Sequence, residues 1–233
     1  MMPLNNNSVH VWHTTLDLHD KRCRTFWCWL SAAEKARAEK LKLPYRQRFI
    51  LTHGLLRKLL SVYSEQPPEK IHFSYTPLGK PLFLNPSMKK QIEFSLSHSK
   101  NMAALAFTLD TPIGIDLELK IFRNNIDKIA YRFLSSDDCE RLKKLNGEKK
   151  LHAFFNAWVK LEASIKAFGH SLKTHPLSQY ASDANRKKMV SDKNILCKKK
   201  YPYSLCTLTL HPNFAAALAV KGSIKAIVTK ELD

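Results

Sequence analysis

The chain has 233 residues, 44% of them apolar, enough to bury one sizeable core or two smaller ones, and no apolar run approaches the ~18 residues of a bilayer span. With 38 basic residues against 20 acidic ones its net charge is +18, which points to an anionic partner: nucleic acid, a membrane surface, an acidic protein or a polyphosphate cofactor. Cys23, Cys28, Cys139, Cys197 and Cys206 are odd in number and scattered, which argues against a disulfide framework or zinc site and for free thiols in a reducing cytoplasm, and the polar first ten residues carry no secretory pattern.

In chain order, Ser31 with Glu34 three residues on forms a capping box, so a helix is expected from there, stopping before Pro44. A second helix is expected over 45–63, its stripe made by Phe49, Leu56 and Leu59 or Leu60, ended by Pro67-Pro68. A strand over 71–75 leads to a turn at Pro77, Gly79 and Pro81. Three strands are then expected, over 92–97, 102–107 and 113–119. In the last, Ile113, Ile115, Leu117 and Leu119 alternate with Gly114, Asp116 and Glu118. A short helix over 139–145, opened by Ser135 and Asp138, and a long one over 148–168, closed by Gly169, follow. Strands over 203–210, 214–220 and 224–229 end the chain. Helix-then-strands occurs twice, so the fold class expected is α+β in two similar halves, 1–111 and 112–233. Arg186, Lys187, Lys188, Lys193, Lys198, Lys199 and Lys200 form a basic cluster with only Asp192 against them.

Four features carry chemistry. Asp116 and Glu118 lie two apart on a strand, so their carboxylates project side by side. Their repulsion needs compensation, which a hard divalent cation supplies; a solvated strand face would also serve. Phe154, Trp158, Glu162 and Lys166, spaced by four, share one side of a helix, where the charges form either a site or an ordinary surface pair. Ser97-His98-Ser99 follows a strand but has no G-x-S-x-G elbow. Gly79-Lys80-Pro81 is a turn with a lysine and lacks the P-loop pattern.

In type, order and separation these segments resemble the phosphopantetheinyl transferase superfamily, in its larger, surfactin-synthetase-activating type. The resemblance runs from Leu30-Ser31 and Glu34 through Arg46-x-Arg48-Phe49, Leu55-Leu56-Arg57, Gly79-Lys80-Pro81 and Phe94-Ser95-Leu96-Ser97-His98-Ser99. It continues through Ile113-Gly114-Ile115-Asp116-Leu117-Glu118, similar to the family's metal signature, and Arg132-Phe133-Leu134-Ser135, and ends on Trp158 to Lys166, similar to W-x-x-K-E-A-x-x-K.

The resemblance implies an intramolecular pseudo-dimer with the active site between the halves. It implies Mg²⁺ held by Asp116, Glu118 and Glu162 against the pyrophosphate of coenzyme A. Arg48, Lys80, His98 and Lys166 would neutralise phosphates, Ser97 would donate a hydrogen bond there, and Glu162 would act as the base. The reaction implied moves phosphopantetheine to a serine of an acidic acyl or peptidyl carrier protein and releases 3′,5′-ADP. The chain departs from the family at Leu161, where the motif has lysine; the lysine here is Lys160, about 200° around the helix from Glu162. A cytoplasmic monomer is expected, with neither nucleic acid nor membrane as partner. The rivals are a basic nucleic-acid-binding protein, favoured by the charge but lacking a recognition motif, and a non-catalytic carrier-binding member of the family.

Overall fold

The computed structural model describes residues 4–5, 8–86, 88–169, 203–222 and 226–232. The basic cluster at 186–200 and Cys197 lie outside them. The chain divides into two compact units, Met1–Asp110 with Ala226–Asp233, and Thr111–Lys225.

The first unit opens with strand β1 (Ser8–Thr15) and helices α1 (Arg22–Trp29), α2 (Ala32–Glu39) and α3 (Tyr45–Ser64). The hairpin β2 (Phe73–Tyr75) and β3 (Pro81–Phe83) and the antiparallel pair β4 (Ile92–Ser99) and β5 (Met102–Leu109) follow. Ser31 caps α2 as expected, its hydroxyl accepting from the Glu34 amide while the Glu34 carboxylate accepts from the Ser31 amide. The stripe of α3 packs on the sheet: Leu56, Leu59 and Leu60 meet Trp12, Ile92, Phe94, Leu105 and Phe107. Each such leucine removed from water contributes about 1.5–3 kcal/mol.

Glu34 does more than cap. Its buried carboxylate accepts from Arg57 at 2.6 and 3.1 Å and lies 2.9 Å from His53 Nδ1. The same guanidinium donates to the carbonyls of Pro68 and Ile71. One network thereby ties α2 and α3 to the segment leading into β2. On the other side of α3, the Tyr63 hydroxyl accepts from Trp12 Nε1 at 2.8 Å and lies 2.8 Å from His10 Nδ1. Burial, and then the charge of Lys230, lowers the His10 pKa.

The second unit contains β6 (Ile113–Leu119), α4 (Ile126–Phe133), α5 (Ser136–Lys143), the long α6 (Gly147–Phe168), β7 (Tyr203–Leu208) and β8 (Phe214–Lys221). Its sheet is antiparallel in the order β6-β8-β7. Register places Gly114, Asp116 and Glu118 opposite Ala219, Ala217 and Ala215. These alanines belong to the core that α6 builds with Phe154, Phe155, Val159, Leu161 and Ala163. Small residues on that face let the helix lie close. The last strand, β9 (Ala226–Glu231), runs parallel to β1 and extends the first unit's sheet to β4-β5-β1-β9.

The fold is α+β, and every strand and helix read from periodicity is present, with ends shifted by a few residues. Four further elements, β1, α1, β3 and α4, carried no clear signal. In β1 both faces are buried, Val9 and Val11 on one and His10 and Trp12 on the other, so the apolar–polar contrast that marks a half-buried strand is weak.

Candidate active site

Strand β6 and helix α6 bring four of the expected residues together. A Cβ on Gly114 would overlap the Ala163 carbonyl oxygen and crowd the Ala167 amide. Glycine therefore allows β6 and α6 to touch backbone to backbone, and Asp116, two residues along the same face, reaches Lys166. The Lys166 ammonium donates to Asp116 Oδ1 at 2.8 Å and to the Ile115 carbonyl at 3.2 Å. Asp116 is 4% exposed, which rules out a solvated strand face. Glu118 and Glu162 are half-buried. Burial raises the Glu162 pKa, the charge of Asp116 adds to the rise, Lys166 opposes it, and Glu118 raises it further. Asp116 and Glu118 are thus near enough to act on the charge of Glu162.

The other expected residues belong to the first unit. Lys80 follows a tight turn in which Gly79 takes φ +81° and the Lys80 amide donates to Thr76 Oγ1. Burial lowers the Lys80 pKa, against the attraction of Glu93. On β4, Ser97 is buried and His98 exposed, as alternation along a strand requires. Arg48, on α3, stands over the Tyr45 ring at 5.9 Å.

On α6, Trp158 stacks on Phe154 and takes Phe133 on its edge. Leu161, at the position of the motif lysine, is 6% exposed and part of the core. Lys160 lines a cavity with residues of α4, α5 and β7.

A sequence profile described as the 4'-phosphopantetheinyl transferase superfamily matches residues 112–219, the stretch from β6 to β8. The 4'-phosphopantetheinyl transferase HetI of Nostoc sp. is 33% identical over 172 residues, covering 73% of each chain. The chain belongs to this superfamily. The 4'-phosphopantetheinyl transferase gsp of Aneurinibacillus migulanus is 30% identical over 68% of this chain and 62% of its own length. The transferase psf-1 of Bacillus pumilus is 32% identical over 66% and 63%. The chain therefore spans a little over three fifths of each of these two relatives. They agree with the larger, surfactin-synthetase-activating type read from the motifs, and the enzyme class is that of the phosphopantetheinyl transferases.

The superfamily raises the question of magnesium. Oxygen donors of the right kind are present in Asp116, Glu118 and Glu162, and Mg²⁺ binds through one or two carboxylates plus substrate phosphates rather than through an all-protein cage. Among the described residues, no three His, Cys, Asp or Glu side chains close into a metal-holding cluster. Lys166 supplies the positive charge beside Asp116 instead. The donor set fits a half-cage that substrate phosphates complete.

The role of Gly114 is the part of the site that alternation along β6 did not reveal. It followed only from how closely α6 crosses the strand.

Proposed function

We propose that this transferase moves the 4'-phosphopantetheine group of coenzyme A to a serine hydroxyl of an acidic acyl or peptidyl carrier protein. The observation that carries the reading is the joining of Asp116, Glu118, Glu162 and Lys166 by β6 and α6 in a chain of this superfamily. The serine oxygen forms a bond to the β-phosphorus of coenzyme A. The bond from that phosphorus to the bridging oxygen breaks, and 3′,5′-ADP leaves with the electron pair. Glu162 takes the hydroxyl proton, directly or through water. Bound Mg²⁺, held by Asp116, Glu118 and Glu162, would neutralise the pyrophosphate. Lys166, Arg48, Lys80 and His98 are assigned to the phosphates as charge partners, with a hydrogen bond from Ser97.

In this reading the two α+β units are the halves of an intramolecular pseudo-dimer, divided near 111. Its support is that each unit lays one long helix, α3 or α6, on its sheet. An internal pseudo-dimer agrees with a monomer, and the four free cysteines among the described residues agree with a cytoplasmic location. The basic cluster at 186–200 is read as a carrier-steering surface.

The test is incubation of the protein with coenzyme A, Mg²⁺ and a panel of apo carrier proteins, followed by intact mass. At least one carrier gains the phosphopantetheine mass, and a chelator stops the gain. No gain with any carrier across a broad panel would sink the reading.

A further inference from the structure

Helix α6 has a second chemical side. Lys160 precedes Glu162 by two residues, about 200° around the helix, and lines a cavity of about 90 Å³ within the second unit. Phe133 and Leu134 at the end of α4, Leu161 of α6 and Leu205 of β7 supply its apolar lining. Arg141 of α5 and Asn156 of α6 line it as well, both exposed, so the cavity opens to solvent on that side.

The charges there are unbalanced. Among the described residues, neither Lys160 nor Arg141 makes an ion pair, and neither side chain is hydrogen-bonded. Asp138 is the acid in the lining, and among the described residues its carboxylate makes no ion pair. Ser135 Oγ donates to Asp138 Oδ2 at 2.6 Å and accepts from the Asp138 amide at 3.1 Å, closing the cap of α5. Two cations and one carboxylate, a net charge of +1, thus line the cavity with an amide and an apolar floor. A half-buried ammonium without a counter-ion favours an anion.

Size and lining narrow the class of ligand. The cavity is larger than a water site and well below the ~300 Å³ at which ordinary cofactor pockets begin, so a whole coenzyme does not fit. The apolar floor has nothing to offer a bare inorganic anion. We propose that this cavity is a second ligand site, for a small organic carboxylate with a short apolar tail. Its carboxylate would lie between Lys160 and Arg141 and its carbons on Leu134, Leu161 and Leu205. The proposal does not rest on the transferase reading.

The experiment is calorimetric titration of the full chain with hexanoate, with hexanol and inorganic phosphate in parallel. Saturable hexanoate binding is expected, with hexanol and phosphate each at least about tenfold weaker. Lys160→Met and Arg141→Met keep the side-chain bulk and remove the charge, so each lowers hexanoate affinity about tenfold or more. Lys58→Met, on exposed α3 surface, leaves it unchanged. Circular dichroism confirms that each variant folds, and either of the two cavity variants suffices if the other does not. No saturable hexanoate binding, phosphate binding as tight as hexanoate, or a folded cavity variant with full affinity would overturn the proposal.

Discussion

Under the proposed function, Glu162 is where function and stability oppose each other most directly in this chain. Burial and then Asp116 push its pKa up, Lys166 offsets part of the rise, and Glu118 adds to it. For an acid whose pKa rises on folding, the stabilisation is present below the ordinary carboxylate pKa and is lost as pH rises through the folded value. Above its folded pKa, Glu162 therefore works against folding. Glu162→Gln should hold or raise the Tm of the metal-free protein while lowering turnover by orders of magnitude. Asp116→Ala should abolish turnover too but lower stability by about 1–3 kcal/mol, because the half-buried Lys166 loses its carboxylate partner. Thermal unfolding without Mg²⁺ separates the two, and an equal loss for both would refute this account of the site. Glu34 has the opposite sign. Burial raises its pKa, but the hydrogen bonds from His53, Arg57 and Ser31 and the Arg57 charge outweigh it and hold it at about 2. Its contribution is complete above the ordinary value of 4.5 and is lost as pH falls toward about 2. Acid unfolding of the wild type should contain this loss, and Glu34→Gln should shrink it while costing about 3 kcal/mol at pH 7.

Among the elements, the contact of β6 with α6 decides the site. The alternation of 113–119 shows that Asp116 and Glu118 share a face, and spacing by four shows that Glu162 and Lys166 do. Nothing in either pattern says that the two faces meet, because periodicity describes one element at a time. Gly114 is where they meet. Since a methyl there would strike backbone rather than a movable side chain, Gly114→Ala should cost about 3 kcal/mol or more. It should also separate Asp116 from Lys166. Chemical denaturation measures the first effect. A variant of wild-type stability and turnover would show that strand and helix can part without harm. Helix α4 teaches the same lesson from the other side. In sequence, the segment ending in Arg132-Phe133-Leu134-Ser135 stands out only as part of a motif, and the apolar side of this helix is given its meaning by the core of α6, where Ile126 and Ala130 are buried.

At the scale of the whole molecule, the net charge of +18 predicts a salt dependence. Attraction of an acidic carrier over more than a Debye length, about 8 Å at physiological ionic strength, should fade as salt rises. The KM for a carrier protein should climb several-fold between low and high salt, with kcat nearly constant, because steering acts on encounter. A fall in kcat at constant KM would place the salt effect in the chemistry instead. The amino-acid sequence by itself determined the α+β class, the expected helices and strands to within a few residues, and the face on which each acid lies. Those properties repeat every two or 3.6 residues and depend on near neighbours. Only the tertiary structure decided that Asp116 is buried against Lys166, that Lys160 lines a cavity with residues of α4, α5 and β7, and that β9 leaves the unit it follows in the chain to pair with β1. Each of these joins residues far apart in sequence, and that joining depends on which surfaces bury best together, which local periodicity does not record.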